Sequence, residues 1–304
     1  MIINRDARPT LTAIELDCGD ELRFTCADGS AHTLSLVSTR AAVDSSSIPY
    51  REPVGRLVQD HSARIVLRMH ATVQIDGARV DLVRWVGNQR SFADPYEIAG
   101  LRIWFDGAAA LFDYLGEGHG ACRPRRAARF AVQDATDRIC LPMLHPWCPL
   151  PKRSLRITDC YAGSDCWMGP YAGYDAHGGL DINHAAGTPL WAPVGLDRHG
   201  LFDSVTDGAA NNCWRGTRRW ADGSTWILEV HHVIDIVAPP GSVEAGTLVA
   251  HGAGIAVGAY EHSHFVFAIV EPGASEGEAI VLDPWILFWQ MYRDRTATTA
   301  AGSI

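Results

Sequence analysis

The stretch Glu261-His262-Ser-His264-Phe-Val-Phe-Ala-Ile269 is rich in β-branched and aromatic residues and is predicted to be a β-strand. Side chains two residues apart on a strand point to the same face, so His262 and His264 are expected side by side, about 7 Å apart along the chain. Histidine is the commonest metal ligand and a frequent acid–base group. Of the 13 histidines, 8 lie between His177 and His264, and this region is where the sequence predicts chemistry.

A second stretch, His177-Gly-Gly-Leu-Asp181-Ile-Asn183, carries two more candidate ligands. Gly178-Gly179 disfavours a helix, and a glycine-rich turn entering a strand is expected to fold the His177 imidazole back toward the Asp181 carboxylate. Three protein ligands drawn from His and Asp, with a fourth position left for water, are typical of a catalytic zinc. This donor set suits a borderline-soft ion better than Ca²⁺ or Mg²⁺, which prefer oxygen ligands.

The two stretches and the segments between them resemble the lysostaphin/LytM-type zinc metallopeptidases, a family of peptidoglycan endopeptidases. The similar segments are His177-Gly-Gly-Leu-Asp181-Ile, Gly187-Thr-Pro-Leu-Trp-Ala-Pro193, Asp222-Gly-Ser-Thr-Trp-Ile-Leu-Glu-Val-His231-His232, Gly241-Ser-Val-Glu-Ala-Gly246-Thr-Leu-Val-Ala250 and His262-Ser-His264-Phe265. They follow the family's order and cover about residues 160–270. Between Gly195 and Trp226 the chain is longer than the family's usual hairpin, which leaves the shape of a substrate groove open.

The resemblance implies one Zn²⁺ bound by His177, Asp181 and His264, with His262 as a catalytic residue beside the metal-bound water. The second catalytic histidine is either His231 or His232. Counting back from Val243 favours His231, whereas Val233, an apolar residue where the family has Leu, favours His232. Adjacent strand residues face opposite ways, so only one of the two is expected in the site. His232 is preferred, and both remain candidates.

The function implied by the resemblance is hydrolysis of a peptide bond in peptidoglycan stems or cross-bridges, or in another peptide substrate. Tyr174, Trp191 and Tyr260 are predicted to bind substrate, and further aromatic candidates for the groove are Tyr171, Trp214 and Trp220. Ordinary core packing is the alternative for each of these aromatic residues. The alternative function is a catalytically silent relative that acts as a cell-wall binding or regulatory module. A biotinyl-type carrier is disfavoured because the only lysine, Lys152, lies outside the hairpin a carrier would need.

The N-terminal part, residues 1–140, is predicted to be an accessory antiparallel β domain of unknown role. Alternating segments occur at Leu11–Asp17, Glu21–Cys26, Thr33–Ser38 and Arg64–Ile75. Asp-Gly pairs are strong hairpin signals because type I′ turns need positive φ. Such pairs occur at Asp28-Gly29, Asp76-Gly77 and Asp106-Gly107.

Four prolines between Pro142 and Pro151 predict a linker over residues 141–154. The metallopeptidase domain is expected over residues 155–295 as a β-sandwich or barrel-like fold, so that the whole chain is mainly β. Asp283 and Pro284 predict the start of a short C-terminal helix ending at Arg295, and residues 296–304 are expected to be disordered.

The chain has 304 residues and a formal net charge of -9, which argues against nucleic-acid binding as its main role. No apolar run approaches the roughly 18 residues of a transmembrane helix. The N-terminus lacks the features of a secretory signal, although the resemblance implies an extracytoplasmic location. The oligomeric state is left open. The 8 cysteines are expected to be mainly buried thiols, with Cys18–Cys26 and Cys160–Cys166 as possible disulfide pairs.

Overall fold

The computed structural model describes residues 1–46, 65–87, 92–115, 122–137, 144–149, 167–172, 175–203, 212–257 and 260–293. The chain divides into two compact units. The first unit comprises Met1–Asp137 and Gly169–Gly178, and the second comprises Arg138–Met168 and Gly179–Ile304. Both are built mainly of β-strands, as the sequence predicted.

The strands, in chain order, are β1 (Ile2–Asp6), β2 (Thr12–Leu16), β3 (Glu21–Thr25), β4 (Ala31–Ser46), β5 (Ile65–Ile75), β6 (Ala78–Val86), β7 (Tyr96–Ile98), β8 (Leu101–Ala108), β9 (Ala128–Asp134), β10 (Trp167–Met168), β11 (Tyr171–Ala172), β12 (Asp175–Ala176), β13 (Leu180–Asn183), β14 (Pro189–Trp191), β15 (Leu196–Asp203), β16 (Asn212–Arg219), β17 (Thr225–Ile234), β18 (Gly241–Val243), β19 (Leu248–Gly252), β20 (Ile255–Val257), β21 (Tyr260–Val270) and β22 (Ile280–Leu282). Short 3-10 helices cover Ala109–Asp113 and Glu276–Glu278. The only α-helix among the described residues is α1 (Trp285–Phe288), which continues as a π-helical turn over Trp289–Arg293.

The first unit contains a five-stranded sheet in the order β1-β3-β4-β5-β6 and a four-stranded sheet in the order β2-β9-β8-β7. β1 pairs with β3 in parallel, and the other described pairings in these two sheets are antiparallel. Every residue of β8 and β9 is buried. The alternating residues Leu34, Leu36, Met69 and Val73 of the larger sheet are also buried, so the period-two pattern supplies this unit's core.

Two of the three Asp-Gly hairpin predictions are confirmed. Asp28-Gly29 joins β3 to β4, and Asp76-Gly77 joins β5 to β6 with positive φ at both residues. The third is wrong, because Asp106-Gly107 lies inside β8 at a register shift. Asp106 is fully buried there and its carboxylate pairs with Arg129. Asp106 and Arg129 therefore form a buried ion pair. Removing either residue would leave the charge of the other buried and uncompensated.

The second unit contains an eleven-stranded sheet whose main path is β10-β13-β21-β17-β16-β15-β18. β14 pairs with β19, which also pairs with β17, while β20 and β22 pair with β21. One face of the central strands is apolar and buried, with Leu228, Val230, Phe265 and Phe267 all at most 1% exposed. The opposite face of these strands carries the histidines together with apolar residues such as Ile227 and Ala268.

The described part of the proline-rich segment, residues 144–149, belongs to the second unit. Trp147 is fully buried, with its ring centroid 5.0 Å from that of Phe265 and 6.0 Å from that of Phe288. The predicted C-terminal helix is present but its α-helical part is only four residues long. Asp283 accepts a hydrogen bond from the Trp285 amide at 2.9 Å at its start.

No helix in the described part of the chain is both long and apolar enough to cross a membrane. Five cysteines form no disulfide, namely Cys18, Cys26, Cys122, Cys148 and Cys213, and four of them are buried as the sequence predicted. The other three cysteines, including both members of the suggested Cys160–Cys166 pair, lie outside the described residues, as does the tail 296–304.

Candidate metal centre

The site is organised by a row of polar residues across four strands of the second unit. Asp181 on β13 pairs with His264 on β21, which pairs with His231 on β17, which in turn pairs with Cys213 on β16. Directly opposed residues of neighbouring antiparallel strands project to the same face. The register therefore aligns four potential metal ligands that lie far apart in the sequence.

The predicted ligands His177, Asp181 and His264 form one cluster. Each offers a donor atom, and these atoms all lie within 4.8 Å of one another. Nδ1 of His264 is 2.8 Å from Oδ1 of Asp181. Asp181 is buried, and His177 and His264 are partly buried. Two imidazoles and one carboxylate brought this close form a donor set that fits a divalent zinc ion.

Backbone carbonyls of Gly169 and Pro170 hold His177 in place. The backbone amide of His177 donates to the Pro170 carbonyl at 2.8 Å, and Nδ1 lies 3.3 Å from the Gly169 carbonyl. A backbone acceptor at Nδ1 fixes the ring orientation and leaves Nε2 for a metal, which is a common arrangement around metal-binding histidines. Gly178 has φ +81°, in the left-handed region that glycine adopts without strain.

Gly179 is required for a different reason, which is close packing. A Cβ at this position would lie 2.5 Å from Cε1 and Nε2 of His264 and from the Phe265 carbonyl oxygen. No side chain larger than hydrogen fits without displacing the His264 ring. The two glycines between His177 and Asp181 thus have distinct tasks, one in the turn and one beneath a candidate ligand.

His262 lies two residues before His264 on β21, on the same face as the sequence predicted. It is buried, and its cross-strand partner is Asn183 on β13. Its Nε2 is 3.8 Å from Oδ2 of Asp181. Asp181 therefore approaches both histidines of the strand, one through each carboxylate oxygen. This places His262 beside the ligand cluster.

Both His231 and His232 lie beside histidines of β21, and which of the two acts in catalysis stays a prediction. The His231 ring centroid is 5.0 Å from that of His264, and the His232 centroid is 4.7 Å from that of His262. The reason is a β-bulge, since the register with β16 shifts so that Asn212 pairs with Val233 but Cys213 pairs with His231. His232 has φ +61° and breaks the alternation that the expectation assumed.

The bulge also gives His232 an unusual electrostatic environment. Burial, followed by the neighbouring His262 and His264, lowers the pKa of His232 to about 4. Its Nδ1 is buried and makes no hydrogen bond to any described residue. A left-handed backbone at a non-glycine residue stores strain, and such residues cluster at functional sites.

Three other histidines of the region contact groups other than the candidate ligands. Nε2 of His184 lies 3.2 Å from the Pro149 carbonyl oxygen, and burial lowers the pKa of His184 to about 4. Nδ1 of His199 accepts a hydrogen bond from the Trp214 indole at 3.3 Å. His251 lies on β19 opposite Pro189. None of the three belongs to the cluster of candidate ligands.

The aromatic residues predicted to line a substrate groove differ in how exposed the structure leaves them. Tyr171 and Trp214 are buried and cannot line an open groove, because their rings are enclosed by protein. Trp191 is partly buried on β14, and Trp220 packs against Trp226 with ring centroids 5.2 Å apart. Tyr174 and the side chain of Tyr260 lie outside the described residues. Substrate binding by Tyr174, Trp191 and Tyr260 therefore stays a prediction.

Sequence reasoning missed a second group of potential ligands on the same face. Donor atoms of Cys213, Glu229 and His231 all lie within 4.8 Å of one another. The spacing of Glu229 and His231 could have predicted that their side chains lie together, because residues two apart on a strand share a face. The position of Cys213 beside His231 could not be predicted from the sequence, because it depends on how β16 pairs with β17.

No protein-family model matches the sequence, and no curated protein is similar to it. Solved structures of M23 and lysostaphin-type peptidases are similar to it at low sequence identity. Lysostaphin, an antimicrobial peptidase from Staphylococcus simulans, is 18% identical over 41% of this chain, with a TM-score of 0.31. The catalytic domain of a variant of EnpA, a prophage-encoded M23 protein from Enterococcus faecalis, is 21% identical over 37% of this chain and 83% of its own, with a TM-score of 0.27.

A zinc-containing peptidase from Vibrio cholerae is 11% identical over 90% of this chain and 84% of its own, with a TM-score of 0.30. The match to lysostaphin spans about half of that protein's length, 52%. All three TM-scores are low.

Proposed function

We propose that this protein is a zinc-dependent endopeptidase that hydrolyses peptide bonds in peptidoglycan stems or cross-bridges. The observation that carries the proposal is the joint placement of two sets of side chains. His177, Asp181 and His264 bring donor atoms within 4.8 Å of one another, and the paired rings of His232 and His262 stand beside them. A ligand cluster with adjacent acid–base groups is the arrangement that metal-assisted hydrolysis requires.

The ligand cluster has the composition of a catalytic zinc site. His177, Asp181 and His264 would hold the ion, and three protein ligands leave one position for water or substrate. When bound, zinc polarises the scissile carbonyl and lowers the pKa of the attacking water. The backbone contact at Nδ1 of His177 orients that ring for this task.

The two remaining histidines supply proton transfer. His232 is neutral near pH 7 because burial holds its pKa at about 4, and a neutral imidazole accepts a proton from the attacking water. We assign to His262 the donation of a proton to the leaving amine. Nε2 of His262 lies 3.8 Å from Oδ2 of Asp181, which places this ring beside the ligand cluster. The positions of both rings are set by backbone, one by the regular β21 and the other by the bulge in β17.

The choice of peptidoglycan as substrate is supported by the motif resemblance of residues 160–270, and bonds beside Gly or D-Ala are the expected targets. Action on the wall also requires an extracytoplasmic location, which is part of the proposal. The first unit is proposed as an accessory domain.

The test combines metal analysis with hydrolysis of purified peptidoglycan and of defined muropeptides. The protein as purified is expected to contain zinc and to release new amino groups from the substrate. Removal of zinc by a chelator should stop release, and added Zn²⁺ should restore it. A zinc-loaded protein that releases no amino groups from peptidoglycan or from glycine-rich peptides would overturn the proposal. Binding of that inactive protein to the wall would instead indicate a silent binding module.

A further inference from the structure

The second donor group, Cys213, Glu229 and His231, is not used by the proposed peptidase mechanism. Cys213 lies on β16 directly opposite His231 on β17, and Glu229 lies two residues before His231. All three side chains therefore project to one face of the sheet. Their donor atoms, a sulfur, a carboxylate oxygen and an imidazole nitrogen, lie within 4.8 Å of one another.

The surroundings of the group restrict what it can do. Cys213 is only 3% exposed and forms no disulfide. The side chain of Glu229 is 13% exposed, whereas that of His231 is 36% exposed and provides access from solvent. A buried thiol is poorly placed to attack a bulky substrate, but it is accessible to a small ion that enters past His231.

Arg215 fixes the carboxylate of Glu229. Its Nε donates to Oε1 at 2.7 Å, and the same guanidinium also bonds Glu276. The other oxygen, Oε2, is left facing His231, 3.5 Å from its Nε2. A ligand oriented by an outer hydrogen bond is typical of metal sites.

We propose that Cys213, Glu229 and His231 form a second divalent-metal site in the same register row as the first. Thiolate, imidazole and carboxylate together select zinc over Ca²⁺ or Mg²⁺, which prefer oxygen ligands. Three protein ligands leave a fourth position at the solvent-exposed side of His231. The site shares no ligand with the His177, Asp181 and His264 cluster, and it stands or falls independently of the peptidase function.

The test uses Co²⁺, because thiolate binding to Co²⁺ produces a near-ultraviolet charge-transfer band that nitrogen and oxygen ligands do not. The metal-free full chain is titrated with Co²⁺, and bound metal is measured after removal of excess. The wild-type protein is expected to bind two equivalents and to show the band. Cys213→Ser should bind one equivalent without the band, and Glu229→Gln should weaken binding of that same equivalent.

Two further variants separate this site from the first. His177→Ala should lose one equivalent but keep the sulfur band, which also shows that failure of the peptidase site leaves this proposal intact. Cys18→Ser removes an exposed thiol and is expected to behave as wild type. Circular dichroism of each metal-free variant confirms that it is folded.

Three results would overturn the proposal. The first is a wild-type protein without a sulfur-to-cobalt band. The second is a band that survives Cys213→Ser, and the third is loss of the band together with all metal in the folded His177→Ala variant. Glu229→Gln keeps the size of the side chain. If Cys213→Ser does not fold, unchanged Co²⁺ binding in folded Glu229→Gln overturns the proposal.

Discussion

His231 and His264 are cross-strand partners, and their rings meet edge to face with centroids 5.0 Å apart. His264 belongs to the candidate zinc cluster, whereas His231 belongs to the group with Cys213 and Glu229. One pair of facing residues thus joins two sets of potential ligands on a single sheet face.

Replacement of a ligand and replacement of a catalytic histidine should have different effects. His177→Ala is expected to lose both zinc and hydrolysis at this site, because it removes one of three donors. His262→Ala should keep the zinc while kcat falls by about 10²- to 10⁴-fold, the usual contribution of a general acid or base. Metal analysis and muropeptide kinetics on the same preparations check both. Loss of zinc from folded His262→Ala would contradict the assignment.

Gly179→Ala should damage the metal centre without touching a ligand directly. The added methyl group would lie 2.5 Å from the His264 ring, which has to move. We expect zinc affinity to fall about 10- to 100-fold, as when the supporting contacts of a metal ligand are removed. Competition with a chelator of known affinity measures this. Gly277→Ala is the matched control, because its nearest neighbour would be Ser275 Oγ at 3.9 Å.

His232→Asn tests the role of the bulge. Asparagine tolerates the left-handed backbone better than most residues, so the bulge at φ +61° should persist. The kcat for muropeptides is expected to fall by about 10²- to 10⁴-fold because the imidazole is lost, while thermal stability and zinc content stay near wild type. His251→Asn on the neighbouring strand is the control, with activity unchanged. Full activity in His232→Asn would remove His232 from the mechanism.

His184 should make the folded state sensitive to acid. Burial lowers its pKa from 6.5 to about 4, so between these pH values the unfolded chain binds a proton that the folded chain does not. Stability is therefore complete above about pH 6.5 and falls as the pH drops toward 4, by up to about 3 kcal/mol for this residue. Urea unfolding at several pH values, with a chelator present, measures the slope.

The control for this prediction is His184→Gln, which keeps a donor toward the Pro149 carbonyl but does not titrate. Its stability is expected to change less than that of wild type between pH 7 and pH 4. Equal slopes for the two proteins would show that His184 does not contribute to acid sensitivity.

Much of the fold was predictable because local patterns persist in the structure. The alternating segments near Leu11, Glu21 and Thr33 form strands, and so does the stretch around His264. The common face of His262 and His264 follows from strand periodicity alone. The Gly178-Gly179 turn does return His177 to Asp181, since the two donor atoms lie within 4.8 Å.

Local patterns failed where distant residues determine the conformation. Asp106-Gly107 has the chemistry of a turn, yet Asp106 lies inside a strand because buried Arg129 needs a counter-charge. The pair His231-His232 looks like two residues on opposite faces. Its bulge arises where β17 leaves β21 and pairs with β19 instead, and nothing in the pair itself signals that change.

The sequence by itself predicted the strand-forming segments, because period-two spacing is a local property, and the resemblance of its motifs implied the candidate ligands His177, Asp181 and His264. Only the tertiary structure decided that Cys213, His231, His264 and Asp181 share one row, and that His231 and His232 both lie beside histidines of β21. Cross-strand register is fixed by burying the apolar faces of several strands together, and that packing brings together Asp181 and His264, which are 83 positions apart.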